Sequence, residues 1–286
     1  MAFRIGAFFV AGFILFTLGM SDPLHAGAPV PRTNPSAFTP QQWNDVYATI
    51  AKQPLPQRVA FWADRVAINA QYVLDPLGEG AGQQPDPDPL VDFKHVDCLT
   101  YVEEVYALAL APNHARFGET LQRIRYKDGQ IAYRWRNHYT VSDWLPANAW
   151  FLHDVTEEVG AGQTCTMTKT ISRAAFFAKK GLTQFHDIPD EVCTTRYIPR
   201  NGVKHVAGKL HTGDMIIFII STPGIIAGHV GIIRIEHGIA YAQHASLSAK
   251  KVVTIPLAEY LQRAPARFVG FKIARLNEHI IVPEVR

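Results

Sequence analysis

The chain reads as an α+β protein in which helices come first and an antiparallel sheet follows. Three observations predict this. Before residue 111 apolar residues recur at helical spacing, as in Val59, Trp62, Ala63, Val66 and Ala70. From Asp214 onward, short apolar and β-branched runs follow one another, parted by turn residues. The composition, 48% hydrophobic, 11% aromatic and 19% charged over 286 residues, supports a sizeable core. With 20 glycines and 19 prolines, collagen-like structure and wholesale disorder are excluded. The 28 basic and 25 acidic residues are interspersed for a net charge of +3, which argues against nucleic acid or an anionic membrane as partner.

Residues 1–26 have the layout of a secretory signal peptide: Arg4, an uncharged and mostly apolar stretch from Ile5 to Met20, then a Pro23 breaker and Ala26. Cleavage after Ala26 predicts export to the periplasm or cell envelope. Ala28 suits the small-residue rule better but leaves Pro29 first, and an uncleaved anchor is the competing reading. No later stretch reaches 18 apolar residues, so no further span is expected. Residues 27–38 form a Pro-rich leader, and residues 39–286 read as a single domain.

Thr39-Pro40 is a helix start, with an N-cap followed by Pro at the first position, and leads into Gln41 to Lys52. A second helix is predicted from about Pro56 to Gln71. Residues 75–89 are loop by composition. Their Gly-Glu-Gly-Ala-Gly run is no dinucleotide signal, since Pro85 to Pro89 forbid a following helix. Asp86 and Asp88 read as a solvated turn in preference to a metal site. A third helix, Cys98 to Ala111, follows Asp97, a good N-cap. Strands are expected at Asp214 to Ile220, His229 to Ile235, Ile239 to His244, Lys251 to Ile255 and Phe268 to Leu276.

Three cysteines are present, Cys98, Cys165 and Cys193. In an oxidising compartment Cys165 and Cys193, both in polar contexts, are candidates for a disulfide worth roughly 3 kcal/mol on the chain-entropy model. Two unpaired thiols are the alternative. Cys98 differs, because it is the first residue of its helix, where unpaired N–H groups and the positive dipole end favour a thiolate. A thiol nucleophile needs a base and a group to orient that base. His229 and His244 sit near matching ends of a hairpin. A turn with Ile235 opposite Gly238 puts them directly across from each other. A three-residue loop closed by Gly238 instead pairs His229 with Ala245 and turns His244 to the other face. The sequence leaves both registers open. Small residues beside the imidazoles would leave room for the Cys98 helix. His95 and Cys98 have zinc-like spacing but no second ligand pair, so no metal or other cofactor is expected. Asp214 reads as a turn residue.

The segments Asp97-Cys98-Leu99-Thr100-Tyr101-Val102-Glu103, Gly213-Asp214, Gly228-His229-Val230-Gly231-Ile232 and His244-Ala245-Ser246 resemble the signature of NlpC-type papain-like cell-wall hydrolases. The resemblance implies a papain-like fold, with Cys98 as nucleophile, His229 as base, His244 as the orienting residue and Tyr72 beside the nucleophile. Leu77-Gly78-Glu79-Gly80, Ile124-Arg125-Tyr126-Lys127-Asp128-Gly129 and Arg136-Asn137-His138-Tyr139 with Asp143-Trp144 are similar to the N-acetylmuramoyl-L-alanine amidase-like branch. That branch implies a large insertion, about residues 115–205, and a peptidoglycan or muropeptide substrate cut between the muramoyl group and L-alanine. Within the insertion, Tyr139 and Trp144, with Trp135, are candidates to stack on sugars. Arg136, Asn137 and His138 are candidates to bond acetamido or carboxylate groups. An endopeptidase acting within the stem peptide, an inactive wall-binding protein and a thiol acyltransferase are the competing readings.

Overall fold

The structure is a computed structural model that describes residues 32–284. The signal-peptide expectation for residues 1–26 lies outside them. Of the leader, Asn34 is buried and its amide donates to the carbonyls of Val66, Ile68 and Phe93, which ties this segment to the core.

Helix α1 (Pro40–Ile50) begins at a capping box in which Thr39 and Gln42 exchange hydrogen bonds. Helix α2 (Leu55–Ala67) stops short of the expected Gln71, because Asn69 adopts a left-handed conformation (φ 57°) and the chain turns into β1 (Gln71–Tyr72). After a long loop come β2 (His95–Val96) and α3 (Cys98–Leu110), which is buried from Thr100 onward. Next are α4 (Phe117–Arg125), the short α5 (Leu145–Ala147), β3 (Leu152–Asp154) and α6 (Thr156–Gly160). The insertion continues with β4 (Cys165–Ile171), α7 (Arg173–Lys179), β5 (Glu191–Pro199) and α8 (Val203–Val206). The chain ends with β6 (Met215–Ile220), β7 (Ala227–Glu236), β8 (Ile239–Ser246), β9 (Lys251–Pro256), α9 (Leu257–Arg263) and β10 (Phe268–Leu276).

The strands form one sheet in the order β2-β1-β9-β8-β7-β6-β10-β5-β4, with β3 beside β10. Every pairing is antiparallel except β1 with β2. The α+β expectation therefore holds. Both faces of the sheet are covered. Met215, Ile217, Val230, Ile232 and Ala245 face α1 to α4. Ile216, Phe218, Ile233, Ala242 and Ile273 face α6, α8 and α9. Burial on two sides explains why β6 is an unbroken apolar run.

The β7–β8 hairpin adopts neither register expected from the sequence. Glu236 pairs with Ile239, leaving a two-residue loop, and His237 (φ 50°) and Gly238 (φ 78°) both take positive φ. That combination is the type I′ turn, whose twist matches the strands.

Cys165 pairs with Tyr197 and Cys193 with Lys169, so the two thiols stand four positions apart on adjacent strands. At about 3.3 Å per residue this is roughly 13 Å, well beyond the ~7 Å that a disulfide tolerates. Both are free, which corrects the expected bridge.

Candidate active site

Helix α3 starts where Asp97 closes its first turn. The Asp97 carboxylate accepts from the N–H groups of Leu99 (2.9 Å) and Thr100 (2.8 Å), and Thr100 Oγ1 accepts from Asp97 N–H in return. Cys98, half-buried, is the first residue of the helix as expected. Its thiol lies against the opening end of β7, within reach of the Val230 N–H. There the β6–β7 ladder shifts register, from Phe218 with His229 to Ile219 with Ala227, a bulge that bends the strand beside His229.

The two histidines do meet. His229 Nε2 and His244 Nδ1 are 2.8 Å apart. They share a face because the observed register differs by two residues from the one that sets them directly opposite, and a two-residue slip keeps side-chain parity. The ladder pairs Ile232 with Gln243, and its next step sets Gly231 opposite His244. His244 then leans diagonally toward His229.

The body of the Cys98 helix packs on the Val230 and Ala245 side of the sheet, while Cys98 at its start is near enough for its charge to act on the Tyr260 phenol. Tyr260 of α9 fills the space beside the imidazoles, with ring centroids 6.2 Å from His229, 5.0 Å from His244 and 4.6 Å from Phe218. Tyr260 went unnoticed in the sequence. Its one legible signal was a short amphipathic stretch, Leu257 to Leu261, between two strands.

Burial sets the protonation states. It pushes the Cys98 thiol up to about 12, helped by the neighbouring Asp97 carboxylate, while the N–H groups of Val230, Cys98 and Leu99 act in the opposite direction. Burial pushes His229 down to about 3 and His244 down to about 4. Burial thus favours the uncharged thiol and uncharged imidazoles, against the pull toward a thiolate that the helix position alone exerts. Tyr72 stands near Cys98 and Asp97, and burial and their charges push its phenol up to about 12. His244 Nε2 is buried with no partner among the described residues.

The five insertion residues proposed for substrate have internal partners. Trp144 is fully buried and donates to Glu103 at 2.9 Å, so it presents no face to a sugar. Asn137 is buried and donates to Ile124 O. Arg136 holds Glu79 (2.7 Å), Asp86 (2.8 Å) and Asp75 (3.2 Å), which pins the 75–89 loop to the insertion. His138 bonds Tyr133 O at 2.7 Å, and burial pushes it down to about 3. Tyr139 is half-buried, with its hydroxyl 3.5 Å from Ser172 O. Trp144 is therefore a core residue, while Arg136, Asn137 and His138, besides these internal bonds, line a cavity in the insertion. Asp214, read as a turn residue, is buried and held by Arg275 at 2.9 Å. His95 pairs with Asp92 at 2.6 Å. Among the described residues no three His, Cys, Asp or Glu side chains are grouped to hold a metal ion.

Solved structures share this architecture. A Legionella pneumophila protein of the DUF1460 family superposes with a TM-score of 0.75, at 22% identity over 85% of this chain and 94% of its own. A Bacteroides uniformis N-acetylmuramoyl-L-alanine amidase superposes with a TM-score of 0.62, at 25% identity over 78% of this chain and 98% of its own. A Bacteroides fragilis protein called a putative xylanase does so at 0.61, with 24% identity over 77% and 99%. Among curated proteins no relative matches. The model of the AmiA-like family, described as N-acetylmuramoyl-L-alanine amidase-like, matches residues 65–270, and with most of its length so matched the chain belongs to that family.

Proposed function

We propose that the protein is an exported peptidoglycan amidase that cuts the amide between N-acetylmuramic acid and L-alanine through a Cys98 thioester. The family membership and the Bacteroides uniformis amidase support the reaction. The observation that carries the mechanism is the 2.8 Å bond from His229 Nε2 to His244 Nδ1, with the Cys98 thiol at its helix start lying against the N–H of Val230, the residue after His229. This supports a papain-like reading, with a nucleophile, a base and a group that fixes the base's tautomer. The signal-like residues 1–26 support export. No helix among the described residues is long and apolar enough to cross a membrane.

With His229 Nε2–H donated to His244, Nδ1 is free to take the thiol proton. Because burial disfavours a lone thiolate, the proton leaves as sulfur attacks the carbonyl. The Cys98 backbone N–H, unpaired at its helix start, and the Tyr72 hydroxyl receive the oxyanion. Protonated His229 then gives its proton to the departing L-alanine nitrogen, and the C–N bond breaks. Water, deprotonated by His229, attacks the thioester, releasing the muramoyl carboxylate and restoring the thiol.

The test is mass spectrometry of defined muropeptides incubated with the protein and with Cys98→Ala. Release of an intact stem peptide with L-alanine at its amino end, absent in the variant, is the expected result. Cleavage within the stem makes the protein an endopeptidase, and no cleavage leaves a wall-binding protein or an acyltransferase.

A further inference from the structure

A cavity of about 750 Å³ opens in the insertion, and none of Cys98, His229, His244 or Tyr72 lines it. This is the size of a small-ligand site. One wall presents Trp135, 36% exposed, with Lys127 Nζ 5.8 Å and the Arg134 guanidinium 5.6 Å from its ring centroid. Ile188, Pro189 and Asp190 also line it.

The cavity's charges divide into those already satisfied and those left over. Arg173 is held by Asp143 and Glu191, and Arg136 by its three carboxylates in the 75–89 loop. Lys127 makes no ion pair among the described residues. Arg134 reaches Asp187 only at 3.4 Å, and Arg123 reaches Asp128 only at 3.5 Å. Arg123 Nε and Ser142 Oγ are buried with no partner. Against these stands one carboxylate without a cation, Asp190. Buried donors without acceptors are costly to keep. A wall that holds two of them, beside the unpaired Lys127 and the loosely paired Arg123 and Arg134, is built to receive a ligand's oxygens.

We propose that this cavity binds a carboxylate-rich peptide segment, its carboxylates on Arg123, Lys127 and Arg134, its apolar stem on Trp135, and an ammonium, where present, toward Asp190. The identity of the ligand rests on the amidase reading: in peptidoglycan the stem peptide carries free carboxylates, whereas the N-acetylated sugars, with the muramoyl lactyl carboxyl tied up as an amide, are neutral. The cavity anchors that peptide away from the scissile bond.

The Cys98→Ala protein, which holds substrate without turnover, is titrated calorimetrically with a soluble stem tetrapeptide and, separately, with the uncharged disaccharide N,N′-diacetylchitobiose. The tetrapeptide is expected to bind, more weakly as salt rises. Adding Lys127→Ala and Arg134→Ala, both outside the core, is expected to raise its Kd at least tenfold. Shift of the Trp135 indole N–H resonance on peptide addition reads the same site without those substitutions. An unchanged Kd in the double variant, no peptide binding, or tighter binding by the disaccharide overturns the proposal. If the native protein cleaves no muropeptide but the peptide still binds through the two cations, the amidase reading falls and the site stands. If it cleaves and binding ignores them, the site falls alone.

Discussion

Gly231 stands opposite His244 across the β7–β8 ladder, and its missing side chain is what lets the His244 ring lean onto His229. A Cβ at Gly231 would meet His244 Cβ at 3.1 Å and Gln243 O at 3.0 Å. Replacement by alanine is tolerated by the backbone, since Gly231 lies in a regular strand, but it pushes on the histidine. Under the proposed mechanism Gly231→Ala is expected to lower kcat by about tenfold or more, because it displaces the group that orients His229. Thermal stability should fall only slightly, by about 1–2 kcal/mol for a tight contact of this kind. Muropeptide turnover and a thermal melt on the same sample check both.

The neutral thiol makes an alkylation prediction. In the free protein Cys98 should react with iodoacetamide with a rate that keeps rising well above the ordinary thiol range of about 8.5. A resting thiolate–imidazolium pair would instead plateau in acid. Peptide mapping should also show exposed Cys165 labelled first and no Cys165–Cys193 bridge after mild oxidation.

The buried histidines make stability pH-dependent. His244, 3% exposed, has its imidazole lowered to about 4, so between that value and about 6.5 the unfolded chain binds the extra proton. Stability is complete above about pH 6.5 and declines as pH falls toward 4, with His244 contributing on the order of 3 kcal/mol. Urea titrations at pH 7 and pH 4 should show the loss, and His244→Gln should reduce it.

Glu104 works in the opposite sense. It is fully buried on α3, with one oxygen unpartnered, and burial pushes its carboxyl up to about 8. Folding then holds a proton that the unfolded chain releases above about pH 4.5, so Glu104 lowers stability as pH rises toward 8. Glu104→Gln is expected to raise the melting temperature more at pH 8 than at pH 5, and an equal shift at both would refute the protonated carboxyl.

Tyr260 packs on both imidazoles. Tyr260→Phe keeps the ring and should keep kcat within about threefold, with the same pH profile, if packing is its role. Tyr260→Ala should lower kcat at least tenfold and cost about 2–3 kcal/mol of stability. A large loss in the phenylalanine variant, with KM unchanged, would instead give the hydroxyl a part in the reaction.

The sequence by itself determined the helices that begin at Thr39-Pro40 and Asp97-Cys98, and strand Phe268–Leu276, because caps and periodicity act over a few residues. It also singled out Cys98, His229 and His244. What it left open was decided by tertiary structure. The hairpin register depended on the twist of neighbouring strands, which selected the His237-Gly238 turn. Trp144 and Arg136 looked like surface groups for substrate until Glu103, Glu79 and Asp86, distant in the chain, folded against them. The thiol's protonation followed from burial, which outweighed the helix position that local sequence displays. Tyr260 came to the histidines only because α9 folds back over β7 and β8, a contact that chain proximity does not encode.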